Sequence, residues 1–286
     1  MEFPDSAAVD SVLPDPDYPL FASVRYEPET PECTDPAARA REELAALPLE
    51  DLPEDGTVAI GLGSRGIHAI VPVAKAIIAE LRERGFAPVV IPAMGSHGGA
   101  TAKGQVRTLA GLGLTEEALN CEIDPRMDTT VLGESAVGAE VPFADAALEA
   151  DGVMVINRVK AHTNFTGRFE SGLTKMATIG LGKQPGAAAA HEHALVEGYI
   201  PVLEAALEVV REETPLLGGI AIVENFEDQT AEVAGIAAAD MPDGETPLKQ
   251  RADAYMPTLP YDELDVLIVD RIGKDISGAG MDTNVV

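Results

Sequence analysis

The chain has no tryptophan, and aromatic residues make up only 4% of it. Its core must therefore be built from Val, Ile, Leu and Ala, which suits parallel strands buried on both faces beneath helices. Cysteine is almost missing. Cys33 and Cys121 stand alone, without a C-x-x-C pair, so a disulfide framework and a structural zinc site are both disfavoured. The absence of an H-E-x-x-H motif or a Cys/His cluster argues equally against a plain zinc hydrolase. Basic residues are scarce, with 20 Lys and Arg against 48 Asp and Glu, a net charge of −28. Such a surface excludes nucleic acid and anionic membrane as general partners. No apolar run reaches the roughly 20 residues needed to span a bilayer. The N-terminal Met1-Glu2-Phe3-Pro4-Asp5 is acidic where a secretory signal would be basic, and a cytoplasmic protein is expected.

What is present is acid spread along the whole chain, which reads as adaptation to high salt. At molar salt the Debye length falls to about 3 Å, and most self-repulsion disappears. The 286 residues, 46% of them hydrophobic, suffice for a large buried core. Short apolar runs alternate with helical patterns. Strands are expected over residues 57–60, 87–92, 152–156, 219–224 and 264–269, with a further one over 21–26. Helices are expected over 36–47, 67–84, 103–112 and 200–213. This rhythm predicts an α/β fold with an open, mostly parallel, Rossmann-like sheet flanked by helices. Residues 1–55 read as an N-terminal extension packing on a main domain of 56–255. Residues 256–286 read as the beginning of a second α/β domain, with the chain ending inside it.

Four of the five histidines fall in Gly-rich surroundings that carry an isolated lysine. His97 lies in Gly95-Ser96-His97-Gly98-Gly99, directly after an expected strand, and His162 follows another. Lys175 sits in the apolar stretch Ser171-Gly172-Leu173-Thr174-Lys175-Met176, where a lysine is costly unless paired, neutralised or modified. His191 and His193 open a helical stretch; two residues apart, they point to different sides, so one at most belongs to a site. Gly61, His97 and His162 all stand at strand C-termini, where open α/β sheets bind ligands. Gly61-Leu62-Gly63-Ser64-Arg65-Gly66 matches G-x-G-x-x-G, but no acidic residue occurs from Gly85 through Thr115, where a ribose-binding acid belongs. The turn still offers backbone N–H groups, and Arg65 a bidentate carboxylate contact.

Arg65, the Gly-Ser-His turn at His97, the strand-end His162, the Ser-Gly-x-x-Lys ending at Lys175 and His191 sixteen residues on follow one another in a specific order. Over roughly residues 57–230 this pattern resembles the nickel-pincer-nucleotide-dependent lactate racemase family. The resemblance implies a racemase or epimerase of a 2-hydroxy acid. It implies a nickel pincer nucleotide held covalently on Lys175, with His191 ligating the metal and His97 and His162 as acid/base partners. Arg65, Ser96 and Lys274 would contact substrate, and Gly182 and Gly186 the cofactor phosphate. Cofactor-maturation proteins become expected partners, while the oligomeric state is left open. Family members with proven activity carry an acidic residue where this chain has Leu62. Arg168, Glu170 and Lys160 are further departures, pointing to a bulkier or more anionic acid than lactate, such as a dicarboxylate or sugar acid. Two other readings stand beside this one: an NAD(P)-dependent oxidoreductase using the Gly61–Gly66 turn, and a cofactor-binding protein without turnover.

Overall fold

The structure, a computed structural model, describes residues 20, 22–163, 165–261, 263–272 and 284–285. Strands β1 (Thr57–Leu62) and β2 (Ala87–Pro92) are followed by a two-stranded antiparallel ribbon, β3 (Thr129–Glu134) and β4 (Glu140–Ala144). Next come β5 (Gly152–Arg158), β6 (Leu216–Glu224) and β7 (Thr230–Ala237). The main sheet has the order β2-β1-β5-β6-β7, parallel throughout except for the antiparallel β7.

Side chains alternate across each strand, and the sheet is buried on both faces. Val58, Ile60, Leu62, Met154, Ile156, Ile220 and Ile222 belong to one apolar layer. Ala59, Val153, Val155, Ala221 and Val223 belong to the other. Covering both sides removes any need for polar alternation, which is why these strands read as continuous apolar runs. Over the first face lies α1 (Pro36–Glu43), whose first turn is closed by the Asp35 carboxylate accepting from the Ala38 amide at 2.9 Å. Beside it lies α2 (Ile70–Glu83), which buries Val73, Ala74, Ile77, Ile78 and Leu81 as one stripe. Each full aliphatic burial there is worth about 1.5–3 kcal/mol. Further helices are α3 (Ala102–Gly111), α4 (Leu173–Lys175), α5 (Lys183–Glu197), α6 (Tyr199–Glu213) and α7 (Glu245–Tyr255), with single helical turns at Glu116–Leu119 and Asp145–Leu148. A π-helical turn, Met176–Gly180, extends α4.

The register fixes where ligands can collect. Leu62 pairs with Pro92 on one side and Ile156 on the other, so β2 and β1 end together and β5 runs two residues past them to Arg158. β1 is followed by β2 on one flank but adjoined by β5 on the other, which makes this a topological switch point.

Two expected strands do not form. Residues 22–26 and 264–269 run without strand pairing; residue 21 lies outside the described residues. Val24 is 66% exposed, and Val266 and Ile268 are 75% and 86% exposed. Among the described residues nothing covers these side chains, and an isolated strand has neither ladder nor core to hold it.

Candidate functional site

The loop after β2 is shaped by glycine. Gly95, Gly98 and Gly99 have φ of 57°, 68° and 67°, a backbone that side chains resist, and His97 stands between them. The fully buried Gln105 amide, on α3, donates to the Gly95 carbonyl at 2.9 Å and reaches the His97 carbonyl at 3.4 Å. The Gly95 amide donates to Gly180 O at 3.1 Å, tying this loop to the turn that follows Lys175. The Ser64 hydroxyl, from the loop after β1, is hydrogen-bonded to His97 Nδ1. Ser96 is exposed beside it.

The loop after β5 carries His162 and is closed by a two-way backbone bridge between Lys160 and Ser171. Its anchor is Glu170, 2% exposed, which accepts from the His162 and Gly167 amides and pairs with Lys249 Nζ at 3.0 Å. The His162 ring stacks on Phe165 at 4.5 Å, Phe165 stacks on Tyr199 at 4.5 Å, and His191 meets Tyr199 edge-on at 5.9 Å. In a chain so poor in aromatics, this ladder joins α6 to two candidate histidines. Lys175 ends α4, half-buried, with Leu173, Thr174 and Met176 buried around it. The Glu245 carboxylate accepts from the amides of Leu173 at 2.6 Å and Thr174 at 2.9 Å, and from the Thr174 hydroxyl.

The electrostatics unite these loops. His162 is pushed down from 6.5 to about 4, by burial first, then by Lys175, Lys160, His191 and Arg65. Burial, Arg65 and Lys175 lower His97 in the same direction. Lys175 falls from 10.5 to about 8 through burial, Arg65 and Lys160. The charges named as acting on all three are positive, in a protein whose net charge is −28. Both imidazoles are thus held below their ordinary value, which favours the proton-accepting form, inside a field that attracts anions.

The structure thus brings together Arg65, His97, His162, Lys175 and His191. His193 instead turns back on its own helix, with Nδ1 at 3.0 Å from Ala189 O. Both histidines sit in the second half of α5, not at its start as expected, because the helix begins at Lys183. Gly182 and Gly186 are buried packing glycines. A Cβ at Gly186 would make ordinary contacts of 3.5 and 3.6 Å with Thr178 O and Pro142 O. One at Gly182 would meet the same two oxygens at 2.5 and 3.0 Å, so the smallness of Gly182 serves the approach of α5 to β4. Gly61 plays a similar part: a Cβ would meet Val155 Cγ1 at 2.9 Å. The helix after that turn starts only at Ile70, past Gly66, and the sheet packing accounts for the first glycine of the G-x-G-x-x-G match. Lys274 lies outside the described residues. Arg168 pairs with Glu204 and Asp243 at the surface, and Glu170 is buried behind the His162 loop, where it holds that loop's amides. Leu62 is fully buried in the core.

Residues that sequence reasoning passed over are mostly buried polar groups behind these loops: Gln105, Lys183, Glu245 and Lys249, with Ser64 and Tyr199 nearer the cleft. Lys183 is completely buried, donates to Pro92 O at 2.7 Å and adopts φ 53°. A signal existed for it, since a lysine within Gly-Leu-Gly-Lys-Gln-Pro-Gly has little reason to be there. His68, the fifth histidine, is a structural tie, accepting at Nδ1 from the Thr230 amide at 3.0 Å. Among the described residues no group of three or more His, Cys, Asp and Glu is arranged to hold a metal ion. Nor is any helix among them long and apolar enough to cross a membrane.

No family model matches the chain, and no curated protein matches it by sequence. Among solved structures it is similar to the lactate racemase apoprotein from Thermoanaerobacterium thermosaccharolyticum, with a TM-score of 0.58 at 12% identity. The likeness is one of fold. It covers 82% of this chain, and the chain spans 58% of the length of that protein.

Proposed function

We propose that the chain is a racemase or epimerase of 2-hydroxy acids, working at the cleft above β2, β1 and β5. The observation that carries this reading is the convergence of two histidines and a half-buried lysine with Arg65, from loops that follow adjacent parallel strands. Arg65 is exposed at the mouth and suits a bidentate grip on the substrate carboxylate. His97 and His162 approach from different loops. One takes the hydroxyl proton as the Cα–H bond gives up its hydride and a 2-keto acid forms. When the keto acid turns over and the hydride returns to its other face, the second histidine, entering this step as the imidazolium, gives its proton to the new alkoxide and is left neutral. The first keeps the proton it took and later exchanges it with solvent. Two bases are required because the hydroxyl of the product points the opposite way.

The residues fit a covalently held nickel pincer nucleotide. Lys175, with its amine near 8, would carry the linkage, and His191 would supply the protein ligand to the metal. When bound, such a cofactor supplies the acceptor and donor for the Cα hydride. This reading asks one ligand of the protein, so it requires no cluster of metal-binding side chains. Lys160, a second positive charge acting on His162, favours an acid more anionic than lactate. A second α/β domain from residue 256 onward and maturation proteins that load Lys175 belong to the same reading.

The test is peptide mapping and nickel analysis of protein purified from a host that makes the cofactor. A nucleotide-sized adduct on Lys175 with about one nickel per chain is expected. His97→Ala and His162→Ala should each load normally yet lose roughly 10²–10⁴ in racemisation of the preferred hydroxy acid. An unmodified Lys175 in such a host would overturn the cofactor assignment. Full turnover after both replacements would overturn the acid/base roles.

A further inference from the structure

Helix α7 carries two buried ionisable residues one turn apart, and each reaches a different loop of the cleft. Glu245, 1% exposed, gathers three donors from the first turn of the segment bearing Lys175. Lys249, 5% exposed, holds Glu170 at 3.0 Å and Asp253 at 2.7 Å. Glu170 in turn holds the His162 amide. Burying a carboxyl is costly: it pushes Glu245 above the ordinary carboxylate range, against the hydrogen bonds from Thr174 and Leu173 that favour the charged form. Capping alone could be achieved by a neutral Ser or Asn at a smaller desolvation cost. An i, i+4 pair on one face points both groups in the same direction.

We propose that Glu245 and Lys249 are positioning residues: from one helix, Glu245 sets the Lys175 turn and Lys249, through Glu170, sets the His162 loop. The assignment rests on the reading of Lys175 and His162 as working groups. Its test measures loop geometry and titration without turnover, so it stands or falls separately from the racemase reading. The third loop, with His97, is held by Gln105 on α3 and serves as an internal control.

The experiment compares wild type with Glu245→Gln, Thr174→Val and Lys249→Met, each shown folded by thermal melting. Three quantities are read on the full chain. These are the pH profile of Lys175 acylation followed by peptide mapping, the NMR titration of the His97 and His162 rings, and amide exchange over residues 160–176. In Glu245→Gln the loosened turn should expose the Lys175 amine, which burial first of all holds down. It should then titrate higher, with labelling at pH 7 slowed about tenfold for each unit moved. A downward move, the effect of merely losing negative charge, would overturn the positioning role. The amides of Leu173 and Thr174 should exchange faster, while His162 titrates as before. Thr174→Val, which removes one donor from the other side without changing side-chain volume much, should give the same pattern in weaker form and reads it if Glu245→Gln fails to fold. Lys249→Met should do the converse, moving His162 and its amide and leaving Lys175 alone. The His97 ring should be unaffected throughout. Unchanged profiles in the folded variants would overturn the proposal. So would all three groups moving together, which would mean general loosening and not separate positioning.

Discussion

Lys175 and Lys183 are both drawn down to about 8, mainly by burial, yet their surroundings give them opposite parts. Lys183 is fully enclosed, with the Pro92 carbonyl as its principal acceptor, whereas Lys175 is half-buried at the cleft. For Lys183, the unfolded chain keeps its proton to about 10.5 while the folded chain releases it near 8. Between those values the unfolded state binds more protons, so stability should rise with pH across that window by up to about 3 kcal/mol from this residue. Lys183→Met should lose that alkaline gain in urea melts at pH 8 and pH 10. At pH 7 it should change stability little, since a buried charge is replaced by an apolar chain of similar length. Lys175 offers a different check. Its charge is one cause of the lowering of both His97 and His162. Lys175→Met should therefore raise both ring titrations, as should any modification that neutralises the amine. Rings that titrate unchanged would show that the three groups do not share a field.

At the scale of elements, the site is assembled from loops that leave adjacent parallel strands, and two of them are fastened behind by a buried polar side chain, Gln105 after β2 and Glu170 after β5. Gln105 shows the energetic weight of such a fastening. Gln105→Leu keeps the apolar packing of α3 but leaves the Gly95 and His97 carbonyls short of a donor, at about 1–3 kcal/mol. Chemical denaturation should register that loss, and the His97 ring should lose its hydrogen bond to Ser64 as its loop relaxes. The parts of this arrangement legible in the sequence were those with a strong local signature. The four parallel strands appear as apolar runs because both faces are covered, and the His97 turn announces itself through glycines at positive φ. Thr230-Ala-Glu-Val-Ala-Gly-Ile-Ala237 makes β7, but it is rich in Ala and Gly, which carry weak strand preference. Helix α7 was passed over because buried Glu245 and Lys249 interrupt its apolar stripe. These are the very residues that reach the cleft, and their reason for being buried lies over 70 positions away, at Glu170 and Thr174. The run 264–269 misled for the converse reason: it has a strand's composition without a neighbouring strand among the described residues.

For the whole molecule, the decisive contrast is between a surface carrying net −28 and a cleft whose acting charges are positive. Much of the scarce arginine is spent in surface clusters. Arg41 reaches Glu80 at 2.6 Å and Glu83 at 2.8 Å, and Arg126 bridges Asp124 and Glu149. Each exposed pair is worth about 0–1 kcal/mol and weakens in salt. The unpaired acid has the opposite response, because screening removes repulsion that the compact state suffers more than the unfolded chain. With 48 acidic residues against 20 basic ones, repulsion should win, and the thermal midpoint should climb between 0.1 and 1 M KCl as the Debye length shrinks from about 10 to about 3 Å. Salt also strengthens apolar burial to some degree, so a rise alone does not isolate the charge effect. A triple variant separates the two. Glu197, Glu212 and Glu213 are exposed at or near the C-terminal ends of α5 and α6, where negative charge also opposes the helix dipole. Replacing all three with Gln should raise the midpoint at 0.1 M KCl, flatten its salt dependence and converge with wild type at 1 M. Parallel curves for the two proteins would instead assign the salt response to apolar burial and leave the acid surface without a part in stability.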